Sequence, residues 1–480
     1  MKCIELFVSI AISLSLQAQT QNEVLNQYFG LGLPLVCITT MDGTEPTSEN
    51  ISHPEGNYMG ESITNVVPKE ARMQIYRNDT LWYDSGEYID DVSGIKIRHR
   101  GNSSAYWSNN KPFKLKLQKK ADLIDTREAG DNTDRRSKDW VLLNYVHTIE
   151  LLVAYRLSRL VGLEYTPRMQ YVNVIINNDY RGMYILMETV SREKESRIIV
   201  EKEDGYIIEL DPYYWNESFA IESHINGLMQ WTLKYPKPEH LTENQERNIR
   251  SDIQRFEAAI SNYNYPDVID VKSVAKWVLV HDIMGTRDSG GCNMYVARTN
   301  RDDTSLMRMP VVWDMASSSM EVPDEWSKSH SEKGLFFSRL FANEQCLEFT
   351  KTYIEEWKRI KKANVFEDII SFLDEYPSTP EGKGVKKSAP LHMQRWNYSY
   401  GLSNLDIKVL IAKRWMNSRQ QWLDENISAM ESTYTGISLP RETPTHHIKE
   451  LLPNGQIIIK KGVKSYSTDG IQIWVPFAIY

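Results

Sequence analysis

Asp288 and Asn293 stand five residues apart in HDIMGTRDSGGCNMYVAR, a short glycine-containing loop directly after a helical stretch, and Asp314 follows in MRMPVVWDMASSS. The runs MYVART and MRMPVVW read as two strands joined across the turn NRDD, so that the second strand delivers Asp314 at its end. A carboxylate that orients an attacking hydroxyl, a carboxamide oxygen on a divalent ion and a strand-end carboxylate bridging metal and phosphates are the working parts of phosphoryl transfer. The pattern D-x-x-x-x-N alone is common by chance. Its weight comes from the order in which helix, loop, hairpin and second Asp follow one another. The structural alternative is that Asp288 closes a turn, Asn293 begins a strand and Asp314 is a solvated strand end. Asp302 and Asp303, in the hairpin turn, read as solvated turn residues.

Such a site also needs a cation near the phosphates and a loop that covers them. RHRGNSSAYWSNNKPFKLKL supplies candidates for both: Gly101, Asn102, Ser103 and Ser104 turn tightly and offer backbone N–H and hydroxyl groups, while Arg100 and Lys111 carry charge. Lys114 and Lys116 alternate with Phe113, Leu115 and Leu117, which assigns the two lysines to a solvated strand face and leaves Lys111 as the phosphate-side lysine. Glu150, inside a helix predicted over about 148–161, reads as a first-turn acid favoured by the helix dipole rather than as a partner for that lysine. Glu188, closing YILMETV, is placed where a nucleotide base would be contacted. Glu209 and Asp211 end the strand GYIIELD.

Other chemistries lack their signatures. The chain has no G-x-S-x-G, H-E-x-x-H, C-x-x-C or G-x-x-x-x-G-K-[ST]. With Lys+Arg 56 against Asp+Glu 64 the formal charge is -8, which argues against nucleic acid as a partner. Residues 1–18 read as a signal peptide, with Lys2, an apolar run from Ile4 to Leu16 and small Ala18. The product is therefore expected to be secreted, periplasmic or at the outer cell surface, with no transmembrane segment once the signal is removed. Cys37, Cys292 and Cys346 then remain, an odd number with no zinc spacing and room for one bridge at most.

The elements that must position these residues follow from periodicity. Residues 30–120 alternate in short strand-like runs, and IELLVAYRLSRLVG is helical, with Gly162 as its stop. MQYVNVIINNDYRGMYILMETV reads as a hairpin turning at Asn178-Asp179, and Pro266–Thr286 as a helix. Residues 334–430 are expected to be mostly helical, interrupted by an exposed loop at EYPSTPEGKGVKKSAP. The last 45 or so residues return to strand alternation.

Taken together, RHRGNSSAYWSNNKPFKLKL, DWVLLN, RGMYILMETV, GYIIELD, RDSGGCNMYVAR with VVWDMASS, and RQQWLDENI resemble the CotH kinase family over about residues 30–430. That family is named for a spore-coat protein kinase. The resemblance implies an atypical protein-kinase-like α+β fold of two lobes, β-rich over about 30–200 and helical over about 201–430, with a β-tail at 431–480. It implies ATP and a divalent ion, Mg or Mn, as cofactors and Ser or Thr of a protein as acceptor. Asp288 would be the catalytic acid/base, Asn293 and Asp314 the metal-side residues, and Arg100, Gly101, Ser103, Lys111 and Glu188 the nucleotide-side residues. Two departures stand out: His147, Ile149, Leu152 and Val153 occupy a pattern usually written Asp-x-Ser-x-x-Arg-Asn, and Ala316 replaces the second acid of W-D-x-D. Their alternative reading is an inactive surface protein that binds a glycan or a protein partner through an aromatic cleft. The tail is similar to C-terminal β-segments of secreted Bacteroidetes proteins, some of which are sorting signals.

Overall fold

The computed structural model describes residues 25–57, 60–125, 132–144, 146, 149–193, 196–224, 229–289, 292–315, 319–320, 322–327, 337–341, 346–397 and 404–436, with tail strands at 448–451, 457–461, 464–466 and 472–473. The expected signal peptide and the departures at His147 and Ala316 lie outside the described residues.

The first half forms β1 (Leu35–Thr40), β2 (Thr47–Ile51), β3 (Ser62–Val67), β4 (Lys69–Arg77), β5 (Thr80–Asp84), β6 (Ile95–His99), β7 (Phe113–Ala121), β8 (Ser137–Leu143), β9 (Met169–Ile176) and β10 (Asp179–Glu188). Helices α1 (Ser103–Trp107) and α2 (Glu150–Val161) interrupt them. One sheet runs β1-β9-β10-β8-β7-β6-β4-β5, and β4 also pairs with β1, so seven of its strands close into a ring. Closure removes free edges and gives each strand an inside. Ile95 and Ile97 of β6, Phe113, Leu115 and Leu117 of β7, and Trp140 and Leu142 of β8 fill that inside.

The β9–β10 turn falls on Asn177 and Asn178, both left-handed with φ 49° and 67°, one residue earlier than the spacing predicts. Asn tolerates that backbone region, and two such residues make the tight turn that matches strand twist. Helix α2 stops as expected, its Gly162 at φ 80° returning its N–H to the carbonyls of Ser158 and Arg159.

The second half contains β11 (Tyr206–Asp211), β12 (Ala220–Glu222), β13 (Gln230–Tyr235), β14 (Met294–Arg298), α3 (Glu243–Asn262), α4 (Val271–Met284), α5 (Glu348–Lys362), α6 (Val365–Glu375), α7 (Pro380–Trp396) and α8 (Leu405–Gly436). An antiparallel sheet ordered β12-β13-β11-β14 carries the expected strands GYIIELD and MYVART as β11 and β14 and adds β12 and β13 to the stretch read as the helical lobe. The described tail residues form the antiparallel sheet β15 (Ile448–Leu451), β16 (Ile457–Lys461), β17 (Lys464–Tyr466) and β18 (Gln472–Ile473).

Two local expectations fail for identifiable reasons. MRMPVVW is no strand beyond single bridges at Met307 and Arg308. Pro310 has no N–H to give a ladder, and its carbonyl and that of Val311 accept instead from Tyr165 N–H at 2.9 Å and Trp277 Nε1 at 3.0 Å. EYPSTPEGKGVKKSAP is no loop: Thr379 caps α7 by accepting from Gly382 N–H at 3.0 Å, and Pro380 opens it. Gly384 of α7 packs so close to Leu33 that an added Cβ would sit 2.8 Å from its Cδ2, which explains glycine inside a helix.

Glu381, in the first turn of α7, accepts from Tyr171 N–H and from the Tyr376 hydroxyl, both at 3.1 Å, joining helix to ring. Burial nevertheless pushes its carboxyl up to about 7. A carboxyl raised on folding contributes stability below its unfolded value, and that contribution is lost as pH rises through about 7. Glu381→Gln should therefore gain on the order of 2 kcal/mol over the parent at pH 8 and nothing near pH 4. Urea unfolding at the two pH values checks this, and an equal gain at both would disprove it.

Arg419 of α8 is fully buried. Its guanidinium donates to the carbonyls of Asp282, Pro323 and Glu325 at 2.7, 2.7 and 2.6 Å. Trp415 Nε1 donates to Ile283 O at 3.0 Å. The RQQWLDENI motif thus fastens the end of α4 to the segment after Asp314, the two places from which the polar loop residues emerge. Among the described residues Cys37, Cys292 and Cys346 form no disulfide with one another. Among the described residues no helix is long and apolar enough to cross a membrane.

Candidate functional site

A cavity of about 580 Å³ lies where the outer face of the ring meets the β11–β14 sheet and the loop after α4. Arg100, Gly101, Ser103, Asp288, Asn293 and Asp314 all line it. They come from two stretches, 100–103 and 288–314, separated by nearly two hundred residues, so the fold alone brings the two together.

On the loop side, α4 is capped by Asp270, whose carboxylate accepts from Ser273 N–H at 3.0 Å, and ends at Gly285 with φ 61°. The chain then turns into Asp288, which is half-buried. Cys292 donates its thiol hydrogen to Asp288 Oδ1, Sγ···O 2.6 Å, which restrains the carboxylate at the cavity wall. Asn293 and Asp314 both have left-handed backbones, φ 56° and 53°. For non-glycine residues this costs energy and persists where surrounding structure enforces it, typically at functional positions. Burial pushes the Asp314 carboxyl up to about 6, against the pull of Arg100 and with help from Asp288.

On the ring side, the Gly101–Ser104 loop is tied down at both ends. Arg100 N–H donates to Pro112 O at 3.1 Å, and Ser62 donates to Asn102 Oδ1 at 2.7 Å. Gly101 sits at φ 96°, where a Cβ would also strike Ser104 Oγ at 2.6 Å, so only glycine fits. The Tyr213 hydroxyl is hydrogen-bonded to Ser103.

Two expected nucleotide-side residues are not at the cavity. Lys111 turns back and donates its ammonium to the Ala105 carbonyl of α1, supporting the loop from behind. Glu188 is fully buried and held by Arg168, whose Nε and backbone N–H donate to it at 3.0 and 2.9 Å. Arg168 also pairs with Asp122 at 2.6 Å, so Glu188 is the centre of an internal ion network and not a nucleotide contact.

The lysine that does line the cavity is Lys114. It faces Arg98 across the β6–β7 pair on the outside of the ring, and its Nζ lies 3.2 Å from Asp139. Burial pulls its ammonium below the ordinary lysine range. Alternation correctly separates Lys114 from Phe113 and Leu115, but the face it occupies looks onto a cleft. Asp139 of β8, not Glu150 of α2, is its acidic partner.

The opposite wall holds residues with no motif to mark them. Lys234 Nζ lies 2.7 Å from Glu209 and 3.9 Å from Asp211. Burial pushes Glu209 up to about 6, with Lys234 pulling it down and Asp211 adding to the rise. The only sequence signal was the clustering of charge on strand residues of an otherwise apolar run, Glu209 and Asp211 in β11 and Lys234 in β13. The lining combines charged residues of both signs with the aromatic side chains of Tyr155, Tyr213, Tyr295 and Trp313.

A group of three or more His, Cys, Asp or Glu side chains able to hold a metal is absent among the described residues. The site still suits magnesium or manganese, which are commonly held by one or two carboxylates together with substrate phosphates. Asp314 and Asn293 both line the cavity, and a carboxylate and a carboxamide oxygen are ligand types that such an ion accepts.

A model of the CotH kinase protein family matches residues 97–423. The match spans well over half the chain, which belongs to that family. No curated protein matches the chain.

Proposed function

We propose that this chain is a secreted CotH protein kinase that transfers the γ-phosphoryl group of ATP to Ser or Thr of another protein, with magnesium or manganese. The observation that carries this is the pairing, across one cavity, of Arg98, Arg100 and Lys114 with Asp288, Asn293 and Asp314. The strand ring and the helical part then act as the two lobes of an atypical kinase-like fold, about 30–430, with the cavity between them. The apolar leader at residues 1–18 favours export to the periplasm or outer surface, with the tail from 431 as a surface-sorting segment.

In this reading Arg100 and Lys114 hold the phosphates, and Gly101 and Ser103 cover them. Asn293 and Asp314 would hold the divalent ion, whose charge would offset that of the ATP phosphates. Asp288 accepts the proton of the acceptor hydroxyl as the new O–P bond forms and the β–γ bridge breaks, releasing ADP. Catalysis then consists mainly of positioning and charge compensation, which suits a site whose groups are fixed by buried backbone contacts.

Calorimetric titration with ATP and with adenosine, in the presence of magnesium, tests the assignment. Lys114→Ala should weaken ATP by about 1–3 kcal/mol through loss of a charge-assisted bond and leave adenosine unchanged. Lys111→Ala should affect ATP less, because its ammonium is engaged with Ala105. Absence of ATP binding by the parent at millimolar nucleotide would end the kinase reading.

A further inference from the structure

The hairpin of β2 and β3 is a two-stranded sheet outside the ring, and Ser62, Ile63 and Thr64 of β3 line the cavity. Two strands alone are marginal in water, so their place is set by what they are fastened to. On the ring side, Ser48 of β2 is hydrogen-bonded to His99 Nδ1 of β6 at 2.9 Å. On the other side stands the turn at Tyr214–Asn216, between β11 and β12. There the Tyr214 hydroxyl donates to Asn57 Oδ1 at 2.8 Å, and Asn216 Nδ2 donates to Ser62 Oγ and to Ile63 O, both at 2.9 Å. Ser62 Oγ passes its own hydrogen to Asn102 Oδ1 at 2.7 Å. One hydroxyl thus joins the turn after β11 to the Gly101–Ser104 loop. Asn102 stands at the N-cap of α1, where an Asn side chain ordinarily accepts from the first helical N–H groups, yet it makes no such cap bond. Its side chain serves the placement of the loop instead of the end of the helix.

We propose that Ser62, held by Asn216, is a positioning residue for phosphate binding: it fixes the Gly101–Ser104 loop at the cavity through Asn102. The inference rests on the phosphate-binding reading of this cavity. Ser62 is fully buried, so it acts through its two partners and not on the ligand. Gly101 and Ser103 flank Asn102 in the chain and both line the cavity, so a rotation at Asn102 would re-aim the groups on either side of it. Donors whose directions are fixed in advance bind an anion without first being ordered, and that ordering otherwise weakens affinity. Ser62 precedes residues 97–423, so the tether comes from a part of the chain outside the family match. The bond from Asn216 fixes the hydroxyl's orientation by occupying its acceptor side, which leaves its single hydrogen for Asn102.

Ser62→Ala removes one oxygen. Its calorimetric affinity for magnesium-ATP and for magnesium-tripolyphosphate should fall about tenfold, while adenosine is unaffected. Asn216→Ala, at a half-buried position, should weaken the same two ligands. The double variant should lose no more than Ser62→Ala does, because both changes act through one hydroxyl. Unchanged ATP and tripolyphosphate affinities, whatever the melting temperature, would overturn the inference and leave the kinase reading standing, the hydrogen bonds then being structural only. An equal loss for adenosine would overturn it too, by showing general damage to the cavity, and so would additive losses, by showing that Asn216 meets the ligand itself. If Ser62→Ala does not fold, the Asn216→Ala titrations decide by the same outcomes. If the parent takes tripolyphosphate but not ATP, and Ser62→Ala weakens it, the inference stands and the nucleotide reading fails. A parent that binds neither overturns both.

Discussion

Asp314→Ala is expected to abolish metal-dependent nucleotide binding. In the proposed chemistry the carboxylate is one of two groups that hold the ion, and its backbone lies in the left-handed region at φ 53°. Loss of even an outer-shell partner of a metal costs ~10–100-fold in affinity, and removal of a direct ligand should exceed that. ATP titrations at fixed magnesium should show at least this loss, whereas titrations in excess chelator should show little difference between variant and parent. The metal-free variant should melt no lower than the parent, because burial already disfavours the ionised Asp314 and the substitution removes that charge. Retained magnesium dependence would remove Asp314 from the metal. A variant that binds poorly and also melts early would point to damage to the fold, and the Lys114→Ala result then carries the test.

Asp288→Ala should behave in the opposite way, binding magnesium-ATP nearly as the parent does while phosphoryl transfer falls by about 10²–10⁴-fold. In the proposed chemistry Asp288 meets only the reacting hydroxyl, so its loss is felt in the transition state and not in nucleotide affinity. The thiol of Cys292, 2.6 Å from Oδ1, would lose its acceptor, a small change beside the loss of the base. Transfer is followed with labelled ATP and a mixture of exported proteins or a generic acidic acceptor, and binding is measured on the same preparation. Equal loss of binding in Asp288→Ala and Asp314→Ala would refute the division of roles between them.

Helix-forming periodicity and a terminal glycine sufficed for α2, because local hydrogen bonding and one apolar stripe decide a short amphipathic helix. The same holds for the β9–β10 hairpin, where two asparagines of suitable backbone preference set the turn. Asp288, Asn293 and Asp314 were legible because they fall within one continuous stretch whose spacing carries meaning. Local reading failed at MRMPVVW and at EYPSTPEGKGVKKSAP for a common reason. In both, the deciding partners are distant in sequence: Tyr165 and Trp277 take the carbonyls of the first, and Leu33 accepts the close approach of the second.

By itself, then, the sequence determined the α+β class, the family, and which side of each strand an amino acid occupies. Period-two alternation sends Lys114 and Phe113 to opposite faces whatever surrounds them. Only the tertiary structure decided what each face meets. The ring closes over Phe113, and the side bearing Lys114 looks across to Asp288 and Asp314 instead of into bulk water. Tertiary structure likewise turned Lys111 onto a carbonyl, locked Glu188 against Arg168 and brought up the unmarked pair Glu209 and Lys234. A polar side chain at the protein surface and one in a cleft follow the same alternation, and the difference between them is set by segments hundreds of residues away.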